Sequence, residues 1–72
     1  MSGPWRLKQL RTVHNLTQQD VSAWLNIPVS RYRNYESGKF RVPLYIFEEI
    51  AVLYGVSMDY LAGRTDNPAL LR

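Results

Sequence analysis

The stretch from residue 17 to residue 38 constrains the fold most, because it carries start and stop signals for two short helices separated by one tight turn. Thr17 followed by Asp20 resembles a capping box, in which each residue bonds the backbone of the other at a helix start. Asn26 is a residue type that ends a helix in the left-handed conformation. A second helix then runs to Gly38, which ends it. We expect the rest of the chain to hold this pair in place.

Three further helices are predicted around this pair. One starts with Pro4 in its first turn and ends at Asn15. Another starts at Pro43, and a short last one is capped by Ser57 and ends at Gly63. The helix after Pro43 carries apolar residues at helical spacing, with a predicted inner stripe of Leu44, Phe47, Ile50, Ala51 and Tyr54. No segment alternates with period two, so the predicted fold is all-α, a compact five-helix bundle.

Length and composition limit the chain to one domain. It has 72 residues, of which 46% are hydrophobic and 21% charged, which is a globular composition. It has no cysteine, which is consistent with a reducing cytoplasm. No apolar run reaches bilayer length, and the start of the chain has no signal-peptide core. We expect one domain over residues 1–66 and a loose tail over residues 67–72.

Charge is unevenly distributed along the chain. Residues 1–41 carry seven basic and two acidic side chains, a net charge of +5, whereas residues 42–72 carry a net charge of −2. The second helix of the central pair is polar and basic on its leading face. Such a layout lets one helix enter the major groove of DNA while its partner braces it. A basic front and an acidic back suggest a face turned towards a polyanion, although ordinary surface charge would also give this count.

Catalysis and metal binding find no support in the motifs. His14 is the single histidine, and no cysteine accompanies it, so no metal site is expected. The run from Ser37 to Lys39 lacks the preceding glycine and following hydroxyl residue of a phosphate-binding loop. No nucleophile elbow or paired acid–base set is present, so we expect no enzyme and no cofactor.

The order of the motifs resembles one family. The first block of matching residues is Thr17-Gln18-x-Asp20-Val21-Ser22-x-x-Leu25-x-Ile27. The second block is Tyr32-x-x-Tyr35-Glu36-x-Gly38-Lys39, and later blocks are Val42-Pro43-Leu44 and Tyr54-x-Val56-Ser57-x-Asp59-Tyr60-Leu61-x-Gly63-Arg64. Together they closely resemble the Cro/CI-type helix-turn-helix family, which includes phage repressors and xenobiotic-response-element regulators. The resemblance covers about residues 5–66 and implies a lambda-repressor-like fold that binds operator DNA, usually as a dimer.

Two positions depart from the family pattern. Pro28 stands where a polar helix cap is common, so one cap or phosphate contact is expected to be absent. Trp24 replaces a residue that is usually charged, which suggests an added contact.

The third helix carries the predicted base-contacting residues. The resemblance places Val29, Ser30 and Asn34 at base-facing positions, and Arg33 borders the same face. Asparagine pairs with adenine, serine donates or accepts, and valine contacts the thymine methyl group. A solvated surface would use the same residue types, so both interpretations stay open from the residues alone.

Phosphate contacts are predicted from four other polar side chains. In the family, the position of Gln18 reaches a phosphate and braces a side chain of the recognition helix. Arg31, Lys39 and Arg41 are cations on or beside the third helix, and they would add affinity that does not depend on sequence. Each of them would also serve as a solubilising surface charge.

Two further sets of residues have structural roles. The resemblance implies a partly buried ion pair between Arg11 and Glu36, which would tie the first helix to the end of the third. Apolar residues on the last two helices suggest a dimer surface, formed by Tyr45, Val52, Met58, Tyr60 and Leu61. Single exposed apolar residues are also normal on monomers.

These observations converge on a small regulator that binds double-stranded DNA. We expect a cytoplasmic, bacterial or phage-encoded repressor that acts as a homodimer on operator half-sites. The competing interpretation is an interaction module that binds a toxin or an anti-repressor. An RNA binder that stacks bases on its aromatic residues fits less well, because the tyrosines follow the pattern of a packed core.

Overall fold

The computed structural model describes residues 5–68, and this part of the chain is folded into five helices. The helices are α1 (Trp5–Val13), α2 (Gln18–Leu25), α3 (Val29–Ser37), α4 (Leu44–Tyr54) and α5 (Met58–Leu61). Residues 5–68 contain no strand, so the all-α, five-helix prediction is confirmed. The predicted role of Pro4 lies outside the described residues.

Local capping signals position the helix ends. The Thr17 hydroxyl accepts from the Asp20 amide at 3.0 Å, and the Asp20 carboxylate accepts from the Thr17 amide at 2.9 Å. Both halves of the capping box are therefore present at the start of α2. The Ser57 hydroxyl caps α5 by accepting from the Tyr60 amide at 3.0 Å. Asn26, with φ +59°, ends α2 in the left-handed conformation as predicted.

The core lies where the helices cross. Helix α2 packs against α3 and α4, α1 packs against α3, and α4 packs against α5. The buried apolar residues are Leu7, Leu10, Val21, Leu25, Tyr32, Tyr35, Ile46, Ile50, Ala51, Val56 and Leu61. Ser22 is also buried, on the side of α2 that faces its neighbours, and a side chain this small lets helices approach closely. This core holds α2 and α3 in one fixed relative orientation.

The buried face of α4 differs from the predicted stripe. Leu44 is 67% exposed, whereas Ile46, which was not in the stripe, is only 1% exposed. Phe47 is half-buried, and Ile50 is fully buried as predicted. Leu44 is the first residue of α4, directly after the N-cap Pro43. The helical period allowed both faces, and packing against the other helices selected the one centred on Ile46 and Ile50.

A buried arginine connects the first helix to the last. Arg6 is 5% exposed, and its guanidinium carbon lies 4.2 Å from the Trp5 ring centroid and 4.0 Å from that of Tyr60. Its Nη2 lies 3.6 Å from the exposed Asp66 carboxylate. Stacking of a guanidinium on two aromatic rings is a favourable cation–π arrangement. The Arg6 contacts therefore fix α1 to α5 and to the segment that follows it.

The segment after α5 keeps contact with the bundle through residue 68. The Ser57 amide donates to the Pro68 carbonyl at 3.0 Å. Pro68 belongs to the segment predicted as a loose tail over residues 67–72, and the rest of that segment lies outside the described residues.

Candidate nucleic-acid interface

Helix α3 has one buried face and one open face. Tyr32 and Tyr35 are 0% and 5% exposed and pack into the core. Ser30 and Arg33 are exposed on the other side, and Asn34 is half-buried beside them. Positions three and four apart share a face of a helix, so these three polar side chains form one continuous outer surface.

Val29 and Arg31 complete the first turn of α3. Val29 is half-buried and Arg31 is exposed. Pro28 is the N-cap and makes no side-chain cap bond, which agrees with the departure seen in the sequence. The backbone at the start of α3 is therefore bonded to no capping side chain.

The Arg11–Glu36 ion pair anchors the far end of α3. Arg11 Nε donates to Glu36 Oε2 at 2.6 Å, and Arg11 Nη2 donates to Oε1 at 3.2 Å. The two side chains are 12% and 5% exposed. A third Arg11 bond, from Nη1 to the Leu16 carbonyl at 2.9 Å, ties the pair to the α1–α2 turn. Two parallel bonds of a guanidinium to a carboxylate fix both position and orientation.

Gln18 joins the same cluster. Its amide nitrogen donates to Glu36 Oε1 at 3.1 Å, which links the start of α2 to the end of α3. This bond is a brace from Gln18 to a side chain of α3. The phosphate contact of Gln18 remains a proposal.

The surroundings of Glu36 keep it ionised. Burial raises the pKa of the Glu36 carboxyl, but hydrogen bonds from Arg11 and Gln18 together with the Arg11 charge outweigh burial and lower it overall. The hydrogen bond to Glu36 raises the pKa of Arg11. Both partners are therefore charged over the whole physiological range.

The loop after α3 carries the other predicted phosphate contacts. Lys39 and Arg41 are exposed, and Phe40 between them is 46% exposed. The Phe40 amide donates to the Asn34 carbonyl at 3.1 Å, so the loop is tied to the last turn of α3. The two cations are therefore held close to the C-terminal end of that helix.

The predicted dimer residues divide between surface and core. Tyr45 and Val52 are 61% and 74% exposed and line a shallow hollow together with Trp24, Glu48 and Glu49. Val52 also lines a second hollow, which Met58 borders.

Two of the predicted dimer residues are engaged inside the bundle. Leu61 is 0% exposed, so its assignment to a surface is wrong; the fold buries it in the monomer core. Tyr60 is half-buried and covers the Arg6 guanidinium. Buried Arg6 was not identified from the sequence, because no local pattern marks an arginine as lying between two rings.

Comparison with known proteins agrees with this geometry. A profile described as helix-turn-helix matches residues 7–61. The chain belongs to the Cro/CI-type helix-turn-helix family. It is similar to an uncharacterized HTH-type transcriptional regulator, YobD, of Bacillus subtilis (strain 168), with 41% identity over 63 residues. That match takes in 88% of this chain and 56% of YobD, so the chain spans little more than half of this relative's length. No solved structure gives a significant match.

Two kinds of feature are absent from residues 5–68. None of the helices in this range is both long and apolar enough to cross a bilayer. The same range contains no group of three or more metal-ligating side chains of the His, Cys, Asp or Glu type.

Proposed function

We propose that the chain is a transcriptional regulator that binds double-stranded DNA sequence-specifically, with α3 in the major groove. The observation that carries this proposal is the two-sided character of α3. Its inner face is anchored by the buried Tyr32 and Tyr35, and its outer face offers polar side chains. A rigid helix with polar groups on its open face meets the requirement for reading base edges.

Base recognition is assigned to the outer surface of α3. Asn34 and Ser30 are the principal readers, since an amide pairs bidentately with adenine and a hydroxyl donates or accepts. Val29 contacts a thymine methyl group, and Arg33 reaches guanine or a nearby phosphate. Within residues 5–68, the side chains of these four residues make no hydrogen bond or ion pair, which leaves them available for DNA.

Phosphate contacts surround that surface. Arg31, Lys39 and Arg41 are exposed cations at the two ends of α3, and Gln18 lies at the start of α2. Contacts to phosphate set the register of the protein on the duplex, and they make binding strongly dependent on salt.

A homodimer that represses by occlusion is the simplest mode of action. Two copies would place their α3 helices in half-sites one helical turn, about 34 Å, apart. Tyr45 and Val52 of α4, with Met58 and Trp24 beside them, are the surface that we assign to this dimer. Exposed aromatic and branched residues grouped in this way are characteristic of protein interfaces.

A second candidate function is the binding of a partner protein, such as a toxin or an anti-repressor. The hollow around Trp24 and Tyr45 is bordered by the exposed carboxylates of Glu48 and Glu49. In a symmetric dimer, these carboxylates would lie near the same carboxylates of the second copy and repel them. A basic partner protein would instead neutralise them.

Selection of bound fragments from random duplex DNA tests the main proposal. Recovery of one recurring motif, bound far more tightly than random duplex, supports sequence-specific recognition. Equal binding of all fragments would overturn it. Sedimentation of the free chain and of the complex separates two copies per site from one, and a single copy per operator would overturn the dimer.

A further inference from the structure

A cleft lies between the α3–α4 loop and the end of α5. Its volume is about 630 Å³. The side chains that matter for its chemistry are those of Lys39, Phe40, Arg41, Leu44, Phe47 and Arg64. Pockets that bind small organic molecules commonly have volumes of about 300–1,000 Å³. The cleft is therefore of a size suited to a small ligand.

The charge around the cleft is of one sign. Three of its lining residues are cations, and no carboxylate lines it. Within residues 5–68, the side chains of Lys39 and Arg41 make no hydrogen bond or ion pair. Arg64 Nη1 lies 3.2 Å from Asp59 Oδ1, but both side chains are more than half exposed, so this pair is weak. The cleft thus attracts anions and repels cations.

Apolar side chains provide the rest of the lining. Phe40 and Leu44 are 46% and 67% exposed, and half-buried Phe47 lines the same cleft. Covering this surface with a hydrocarbon group would remove it from water and is favourable.

We propose that this cleft binds a small amphiphilic organic anion, with an apolar chain or ring on Phe40, Leu44 and Phe47 and a carboxylate or phosphate head near the cations. Lys39 and Arg41 are also the phosphate contacts proposed above. The effect of the ligand on DNA binding therefore rests on that proposed function. A ligand that occupies both cations removes them from DNA. The ligand is therefore a negative effector of DNA binding.

The first experiment uses octanoate as the probe and follows the amide resonances of the full chain by NMR, without DNA. Two control compounds each keep one part of octanoate. Acetate has the carboxylate without the long chain, and octan-1-ol has the long chain without the charge. We expect octanoate to shift resonances of the cleft residues with an affinity at least about tenfold above both controls. Equal binding of octan-1-ol, or shifts spread over the whole chain, would overturn the proposal.

Two pairs of variants locate the binding. Arg64→Gln removes a cleft cation, and Lys8→Gln removes an exposed cation of α1. Leu44→Ser removes exposed apolar surface in the cleft, and Val13→Ser, at a position 70% exposed, removes it elsewhere. Each cleft variant should weaken octanoate binding about fivefold while its partner variant leaves it unchanged. All four side chains are exposed, and among them only Arg64 has an ion-pair partner, Asp59. Far-ultraviolet circular dichroism checks that each variant is folded.

A competition experiment tests the coupling to DNA. Octanoate should displace a fluorescently labelled random duplex from the wild-type chain, and acetate at the same ionic strength should not. Displacement should be weaker with Arg64→Gln, whose duplex affinity should match that of Lys8→Gln.

The outcomes separate the two proposals. If octanoate binds in the cleft but the chain binds no duplex at all, the proposed function fails and the ligand site stands. If duplex binds and octanoate does not, the ligand site fails and the DNA function stands. Octanoate and duplex bound together on one chain would overturn the effector role.

Discussion

Arg11 and Glu36 are 25 positions apart in the chain, and their side chains meet with Arg11 Nε 2.6 Å from Glu36 Oε2. The pair is largely withdrawn from water, and Gln18 adds a bond to the same carboxylate at 3.1 Å. Three helices thus converge on one carboxyl group at the end of the helix that we assign to DNA. The stability of this contact sets how rigidly that helix is held.

Replacing Glu36 with glutamine should destabilise the fold and flatten its response to acid. The variant leaves the Arg11 charge unpaired, so we expect a loss of about 3 kcal/mol in the free energy of unfolding at neutral pH. Folding lowers the pKa of Glu36 below its ordinary value of 4.5. Its contribution is therefore complete above pH 4.5 and declines as the pH falls through the lowered folded value. Urea unfolding at several pH values measures the difference.

Glu48→Gln is the matched control for that experiment, because Glu48 is exposed and bonded to no described side chain. It should change the free energy of unfolding by less than about 0.5 kcal/mol. A Glu36→Gln variant as stable as Glu48→Gln would show that the buried pair does not hold α3.

Replacing Tyr54 with phenylalanine should preserve or increase stability. The Tyr54 hydroxyl is buried and has no hydrogen-bond partner among residues 5–68, so its removal relieves a desolvation cost of about 1 kcal/mol. The ring contact with His14, 5.1 Å between centroids, does not require the hydroxyl. Thermal unfolding at neutral pH checks the direction, and a clearly destabilised variant would contradict it. Tyr45→Phe, at an exposed position, is the control.

Alkaline pH provides a second readout of the same residue. Burial, with a smaller contribution from Glu36, raises the pKa of Tyr54 from 10.0 to about 12. Because burial disfavours the tyrosinate in the folded state, the free energy of unfolding does not depend on this group below pH 10.0 and falls as the pH rises from 10.0 towards 12. The Tyr54→Phe variant should therefore lose less stability than the wild type over this interval. Tyrosinate absorbance of the folded wild type should show one tyrosine that titrates at about pH 12 and that is missing from the Tyr54→Phe variant.

Gly63 is expected to tolerate alanine less well than Gly55 does. Both have positive φ, +80° and +67°, so alanine at either position costs about 1 kcal/mol of backbone strain. A Cβ at Gly63 would also lie 3.0 Å from Trp5 Nε1, whereas one at Gly55 would meet nothing within 4 Å. Gly63→Ala should be the less stable variant by about 1 kcal/mol in chemical unfolding. Equal losses at both positions would show that Trp5 moves aside freely.

Asn34→Ala and Arg41→Ala should weaken DNA binding in different ways. Loss of the Asn34 amide should cost about 1–3 kcal/mol on the selected motif and much less on random duplex. Loss of the Arg41 charge should weaken both duplexes alike and make the salt slope shallower by about one unit. Titrations between about 50 and 200 mM salt measure both effects. If Asn34→Ala lost affinity equally on both duplexes, base reading by that residue would be excluded.

The ends of the helices and their number were predictable from the sequence. Each cap acts through hydrogen bonds that involve backbone atoms within one helical turn of it. The capping residues are Thr17 with Asp20, Asn26, Gly38 and Ser57. Such signals need no knowledge of the rest of the fold. The outer face of α3 was equally predictable, because it lies opposite the buried face that carries Tyr32 and Tyr35.

Contacts between distant segments were decided by the tertiary packing. Leu44 and Ile46 both fit a helical stripe, and only the crossing of α4 over its neighbours buries Ile46 and exposes Leu44. Arg6 reads as a surface cation, yet Tyr60 from the other end of the chain covers it. The helical period determines which residues share a face of a helix, and this can be predicted from the sequence. Which face meets protein and which meets water depends on partners that the chain brings together only when it folds.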